Sequence, residues 1–186
     1  RPVIFKAADP AAKWGQISVQ PKGTATLSVT ALLNGGNVTS NELGALLVRG
    51  VAGGTNAGDP VRSTTLDRVL IEGSATYGLN LEAWGGLTAE SSAVWIRSSG
   101  GKDAAYPVRV EPGIVGTLPK DLVMTGNMTN EILVRSSKTF MRDDTFGNHG
   151  VPYRQLGTLR VNGSEDGAPV KLTIAPGVTI AFEERS

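Results

Sequence analysis

Short runs of alternating apolar residues, each closed by a Gly, Asn, Ser or Pro corner, recur along this chain about every 25–30 residues. That recurrence constrains the fold more than any other feature. Lys171–Glu184 states the recipe: Leu172 and Ile174 alternate with Thr173, Pro176-Gly177 breaks the run, and Val178, Ile180 and Phe182 alternate with Thr179 and Ala181. Such a segment reads as two short strands with one apolar side and a corner between them. From Leu66 onward the recipe repeats in Leu66–Glu72, Tyr77–Glu82, Val94–Arg97, Pro107–Glu111, Leu122–Thr125 and Glu131–Arg135. Laid over one another, Ile71, Ile96 and Met124 fall in one column, and Leu79, Val108 and Ile132 in another.

Strands this short cannot bury a face alone, but stacked repeats can, and the pattern therefore predicts a solenoid. The earlier part of the chain fits the same scheme. Arg1–Lys6 opens on a strand, Gln16–Gln20 is strand-like, and Ala25–Leu33 is the longest alternating run, with Leu27, Val29 and Ala31 on one side. Within Asn41–Gly50, Leu46–Arg49 is read as a strand, because the run is too short to support helix nucleation by itself. Two segments, 51–63 and 143–152, are expected to be loops that leave an otherwise single domain spanning 1–186.

Composition supports an all-β chain and excludes several functions. Aromatics make up 5% and charged residues 19%, which argues against an aromatic-centred core and against long charged helices. The 24 glycines and 10 prolines supply frequent corners without collagen's triplet period. A formal net charge of +1 gives no electrostatic reason to expect nucleic acid or an anionic membrane as partner. No apolar run approaches the ~20 residues of a membrane span. With no cysteine, disulfides, thiolate metal sites and cysteine nucleophiles are all excluded. Arg1 in place of an initiating Met is the expected mark of a processed or excised piece.

Several motifs together resemble the right-handed parallel β-helix modules of large bacterial surface and secreted proteins. They are Leu172–Phe182, Gly150-Val-Pro-Tyr153, Arg1-Pro-Val-Ile-Phe5 with Trp14-Gly15, Leu66–Ser74 with Tyr77–Leu81, and Tyr106–Val110. The resemblance implies a right-handed parallel β-helix and an extracellular or cell-surface location. It implies no single activity, since this fold hosts enzymes, adhesins and scaffolds. In such proteins the rung like Leu172–Phe182 usually precedes rungs like Arg1–Phe5 and Trp14-Gly15, whereas here it comes last. Roughly seven rungs at a strand spacing of about 4.8 Å predict a rod about 35 Å long. Its ends are expected to be uncapped, exposing unpaired strand edges.

These readings lead to a structural subunit, not an enzyme, that stacks head to tail on copies of itself into a filament or surface scaffold. Arg1, Pro2, Val3, Ile4, Phe5, Val178, Ile180 and Phe182 are the expected self-association residues. The alternatives are an adhesin or carbohydrate-binding module, with Trp84 and Trp95 as ligand-binding candidates and surface polysaccharide as partner, and a polysaccharide lyase-like enzyme. No cofactor is expected. The calcium candidates are Asp143-Asp144 and Glu165-Asp166, neither of which has the spaced carboxylate pattern of a calcium loop. His149 is the only histidine and lacks a nucleophile elbow nearby, so it reads as a loop residue. Two charge ladders are expected to lie exposed: Glu82 and Glu111 in line with Arg135, and Glu72 beside Arg97. Exposed pairs of this kind contribute about 0–1 kcal/mol each.

Overall fold

The computed structural model describes residues 1–9, 11–37, 43–50, 61–102, 104–135, 139–164 and 167–183. Fifteen strands are described: β1 (Val3–Phe5), β2 (Ile17–Val19), β3 (Ala25–Leu33), β4 (Leu46–Arg49), β5 (Val61–Glu72), β6 (Leu79–Glu82), β7 (Gly85–Leu87), β8 (Ser92–Arg97), β9 (Val108–Val110), β10 (Val123–Thr125), β11 (Ile132–Val134), β12 (Asp144–Phe146), β13 (Tyr153–Leu156), β14 (Leu172–Ile174) and β15 (Ile180–Glu183). Among the described residues the helical content is one 3-10 turn, Val115–Thr117.

All pairings between these strands are parallel. One sheet runs β1-β3-β5-β8-β10, with β7 also on β5; a second runs β15-β13-β11-β9-β6-β4-β2; β12 and β14 form a third. In the second sheet the spatial order of strands is their order along the chain. This is an all-β architecture of parallel sheets, compatible with a coil in which each strand lies against its counterpart one repeat away.

The columns expected from the sequence are the observed register. Leu46, Leu79, Val108, Ile132 and Tyr153 are successive partners, as are Val48, Leu81, Val110, Val134 and Gln155. Leu32, Ile71, Ile96 and Met124 form the matching column in the first sheet. Stacking like on like removes almost all of this apolar surface from water and makes it one continuous core. Phe140, Phe146 and Tyr153 extend that core, with ring centroids 5.8 and 4.7 Å apart. The low aromatic content did not foretell this small cluster.

Corners stack as the strands do. Asn34, Gly73, Ser98 and Gly126 all have left-handed backbone, with φ of 60, 68, 50 and 62°. The amide of each of the first three donates to the carbonyl of Glu72, Arg97 and Thr125 in the next repeat. Beside them, the Ser74 N–H donates to Ser99 Oγ, and the Ser99 N–H to Asn127 Oδ1.

A second set of kinks departs from the sequence reading. Val29, Arg68 and Ala93 have φ of 49, 53 and 52° and lie at equivalent places in β3, β5 and β8. Each kink shifts the alternation by one residue. In β3 the buried side is therefore Thr30 and Leu32, while Val29 is 38% exposed, which corrects the expected Leu27-Val29-Ala31 face. Left-handed backbone at a β-branched valine is uncommon, and three stacked instances show that the surrounding pairing holds it in place.

Both expected loop segments carry strand. Val61–Ser63 is the start of β5, with residues 51–60 outside the described residues, and Asp144–Phe146 is β12, paired with β14. The two acidic residues disguised β12, yet Phe146 is fully buried and Asp144 nearly so.

Gly85 shows how tightly successive repeats approach. A Cβ added there would sit 2.5 Å from the Gly50 nitrogen and 2.6 Å from the Arg49 carbonyl carbon, both backbone atoms that cannot swing away. Gly85→Ala is expected to lower stability by about 1–3 kcal/mol, read as a shifted denaturant midpoint. A wild-type midpoint would show that the two strands separate more easily than their packing implies.

Candidate functional site

The edges of the sheets are where the buried columns meet solvent. Within the described residues β1 pairs only with β3, β2 only with β4, and β15 only with β13, so each presents one unpaired side. Phe182 continues the Val48–Gln155 column beyond Gln155 and is 61% exposed. At the opposite end Val3 and Phe5 continue the columns of Thr30 and Leu32 and are 52% and 38% exposed. Arg1, Pro2 and Ile4 are exposed beside them, whereas Val178 and Ile180 are half-buried and pack on the core. Phe5 also leans on Trp14, with centroids 6.4 Å apart. One detail differs from the sequence reading: β1 and β15 belong to different sheets, so the lateral counterpart of β15 at the far end is β2.

Along the outer side of the second sheet runs a charged ladder. Glu82 accepts from Arg49 at 3.0 Å and also from Arg109 and Asn80, while Glu111 accepts from Arg135 at 2.9 Å and from the Ala83 N–H. Contrary to expectation these carboxylates are buried, with side chains only 7% and 5% exposed. The Tyr77 ring lies 5.6 Å from the Arg109 guanidinium beside this ladder. Burial pushes the Glu82 carboxyl up, but Arg109 and Arg49 pull it further down, so its pKa lies below the ordinary value. The Glu72–Arg97 pair forms at 3.1 Å and is exposed, as expected.

Of the calcium candidates, Glu165 and Asp166 lie outside the described residues. Asp144 accepts backbone N–H bonds from Gly113, Val115, Gly116 and Thr145 at 2.7–3.0 Å. Burial raises its pKa against the pull of those four donors. Asp143 Oδ1 accepts the Lys171 N–H at 2.7 Å. Both carboxylates therefore tie one repeat to the next. Among the described residues, no group of three or more His, Asp or Glu side chains is placed to hold a metal ion.

His149 sits in a corner near Tyr153, with ring centroids 6.1 Å apart, and burial lowers its pKa. It lines a cavity of about 540 Å³ together with Lys120, Asn148 and Ala175.

The two tryptophans lie in different surroundings. Trp95 is 41% exposed on the outer side of β8, in an apolar row that runs Ile4, Ala31, Leu70, Trp95, Val123. Trp84 fills the corner before β7, half-buried, with the Arg142 guanidinium 4.4 Å above its ring. Comparison with family models, curated proteins and solved structures found no match.

One feature escaped the sequence reading: a groove of about 470 Å³ beside Trp84, bounded by Arg62, Arg142 and Lys171. Those three residues are scattered along the chain, and no local pattern joins them.

Proposed function

We propose that this chain is a structural unit: a right-handed parallel β-helix of roughly seven turns that stacks on copies of itself into an extracellular filament or surface scaffold. The strand order supports a coil, and crossovers between parallel strands are right-handed in about 98% of cases. The extracellular setting rests on the resemblance of its motifs to bacterial surface modules.

The observation that carries the reading is the bare end of the core columns. Phe182 at one end, and Val3 and Phe5 at the other, occupy positions that are buried in the intervening strands. Beside them run strand edges with unsatisfied N–H and C=O groups, a template for another chain. β15 of one copy pairs with β2 of the next, and Phe182 falls over Val19 in the continued column. Because the two surfaces differ, the contact is heterologous and extends without closing.

Negative-stain microscopy and light scattering of the purified chain over a concentration series test this. Rods that lengthen with concentration are expected. A particle that stays monomeric at about millimolar concentration, where even weak association (~4 kcal/mol) would show, rules the assembly out.

A further inference from the structure

The groove beside Trp84 has a construction that stacking does not require. Its floor is low because two glycines line it, Gly113 against the ring of Trp84 and Gly116 against Asp144. Thr145 and Thr173, register partners in β12 and β14, set a pair of hydroxyls along one wall. Around this trough stand Arg62 from β5, Arg142 just before β12 and Lys171 just before β14.

Charge and order both favour an anion here. Three cationic side chains meet two carboxylates, Asp143 and Asp144, and both carboxylates are engaged by backbone N–H groups of neighbouring repeats. Arg142 is stacked on the indole of Trp84, which fixes the plane of its guanidinium before any ligand arrives. A planar guanidinium matches carboxylate and sulfate oxygens two at a time, and threonine hydroxyls both donate to and accept from sugar hydroxyls. The volume is that of a small-molecule subsite, and the lining is mainly polar, which favours a polar ligand.

We propose that this groove binds an acidic saccharide unit, its carboxylate or sulfate held by Arg62, Arg142 and Lys171 and its hydroxyls by Thr145 and Thr173. Arg62, Arg142 and Thr145 lie away from β1, β2 and β15, whereas Thr173 belongs to β14, which among the described residues pairs only with β12.

Titration calorimetry on the whole chain tests it with three probes: a galacturonic acid trisaccharide, a sulfated chondroitin disaccharide and a neutral galactose trisaccharide. Binding of either acidic probe, weakened as salt is raised and absent for the neutral one, is the expected result. Binding of the galacturonic acid trisaccharide shows that a carboxylate suffices; binding of the chondroitin disaccharide alone, which carries a carboxylate and a sulfate, assigns recognition to the sulfate. Lys171→Gln and Arg142→Gln should each weaken binding about tenfold or more, as loss of a hydrogen bond to a charged group does. Lys171 is exposed, so its variant stays informative even if Arg142→Gln, which loses the contact with Trp84, does not fold. Equal binding of the neutral trisaccharide, undiminished binding by Lys171→Gln, or no binding of either acidic probe at about 10 mM (~3 kcal/mol) overturns the proposal.

Discussion

Glu82→Ala is expected to be among the most destabilising single substitutions in this chain, costing about 3–5 kcal/mol. The carboxylate bridges Arg49 and Arg109 and also takes the Asn80 amide, and its side chain is only 7% exposed. Truncation leaves Arg109, itself 12% exposed, under the ring of Tyr77 with no carboxylate to neutralise it. For a chain of this size each kcal/mol moves the melting temperature by about 2–4 °C, so a fall of about 10 °C should be seen. Replacing Glu82 and Arg109 together by leucine should recover most of the loss, because what costs is the uncompensated charge and not the missing pair. A single variant within about 0.5 kcal/mol of wild type would mean that water reaches this ladder freely.

The same carboxylate gives a pH dependence with a definite sign. Its pKa is lower in the folded protein than the ordinary 4.5, so the unfolded chain binds the proton more readily. The stabilisation is therefore complete above pH 4.5 and is lost as pH falls through the lower folded value. Denaturation midpoints measured from neutral pH into acid should show this loss in wild type, and a smaller one in the double leucine variant.

Phe182→Asp should abolish stacking while leaving the single subunit nearly as stable as before. In the isolated chain Phe182 is 61% exposed, so the substitution removes little buried contact. At a joint between copies its remaining exposed surface would be buried, a gain of about 1–2 kcal/mol, which aspartate forfeits. The aspartate must also lose its hydration in an apolar column, at a further cost of about 1–3 kcal/mol or more. A combined effect near 3 kcal/mol or above raises the concentration needed for assembly by at least about 100-fold, measurable by sedimentation velocity. Assembly at the wild-type concentration would place the contact elsewhere, and the exposed row of Ile4, Trp95 and Val123 would be the surface to examine next.

Much of the strand pattern was legible in the sequence. The columns Ile71-Ile96-Met124 and Leu79-Val108-Ile132 could be written down from spacing alone, and they are the register partners found. Leu46–Arg49, read as a strand because the run is too short to nucleate a helix, is one, and the sheet buries its Leu46, Leu47 and Val48. The candidate site was less legible. Phe182 and Val3 stood out as members of the repeat, but their exposure depends on which strands lie next to them. The groove lined by Arg62, Arg142 and Lys171 could not be seen at all.

Local alternation is a property of neighbouring residues, so the sequence by itself determined an all-β chain, the positions of most strands and the residues that stack in its best-formed columns. Only the tertiary structure decided the rest, because those features depend on contacts between residues a repeat or more apart. The left-handed kinks at Val29, Arg68 and Ala93 hold one another in line across β3, β5 and β8, and each reverses the face that alternation assigns. Burial of Glu82 and Glu111 likewise follows from arginines supplied by neighbouring repeats, Arg49 and Arg109 for the first and Arg135 for the second. Asp144 turned from a loop acid into a buried tie for four amides once the 3-10 turn of the preceding repeat lay beneath it.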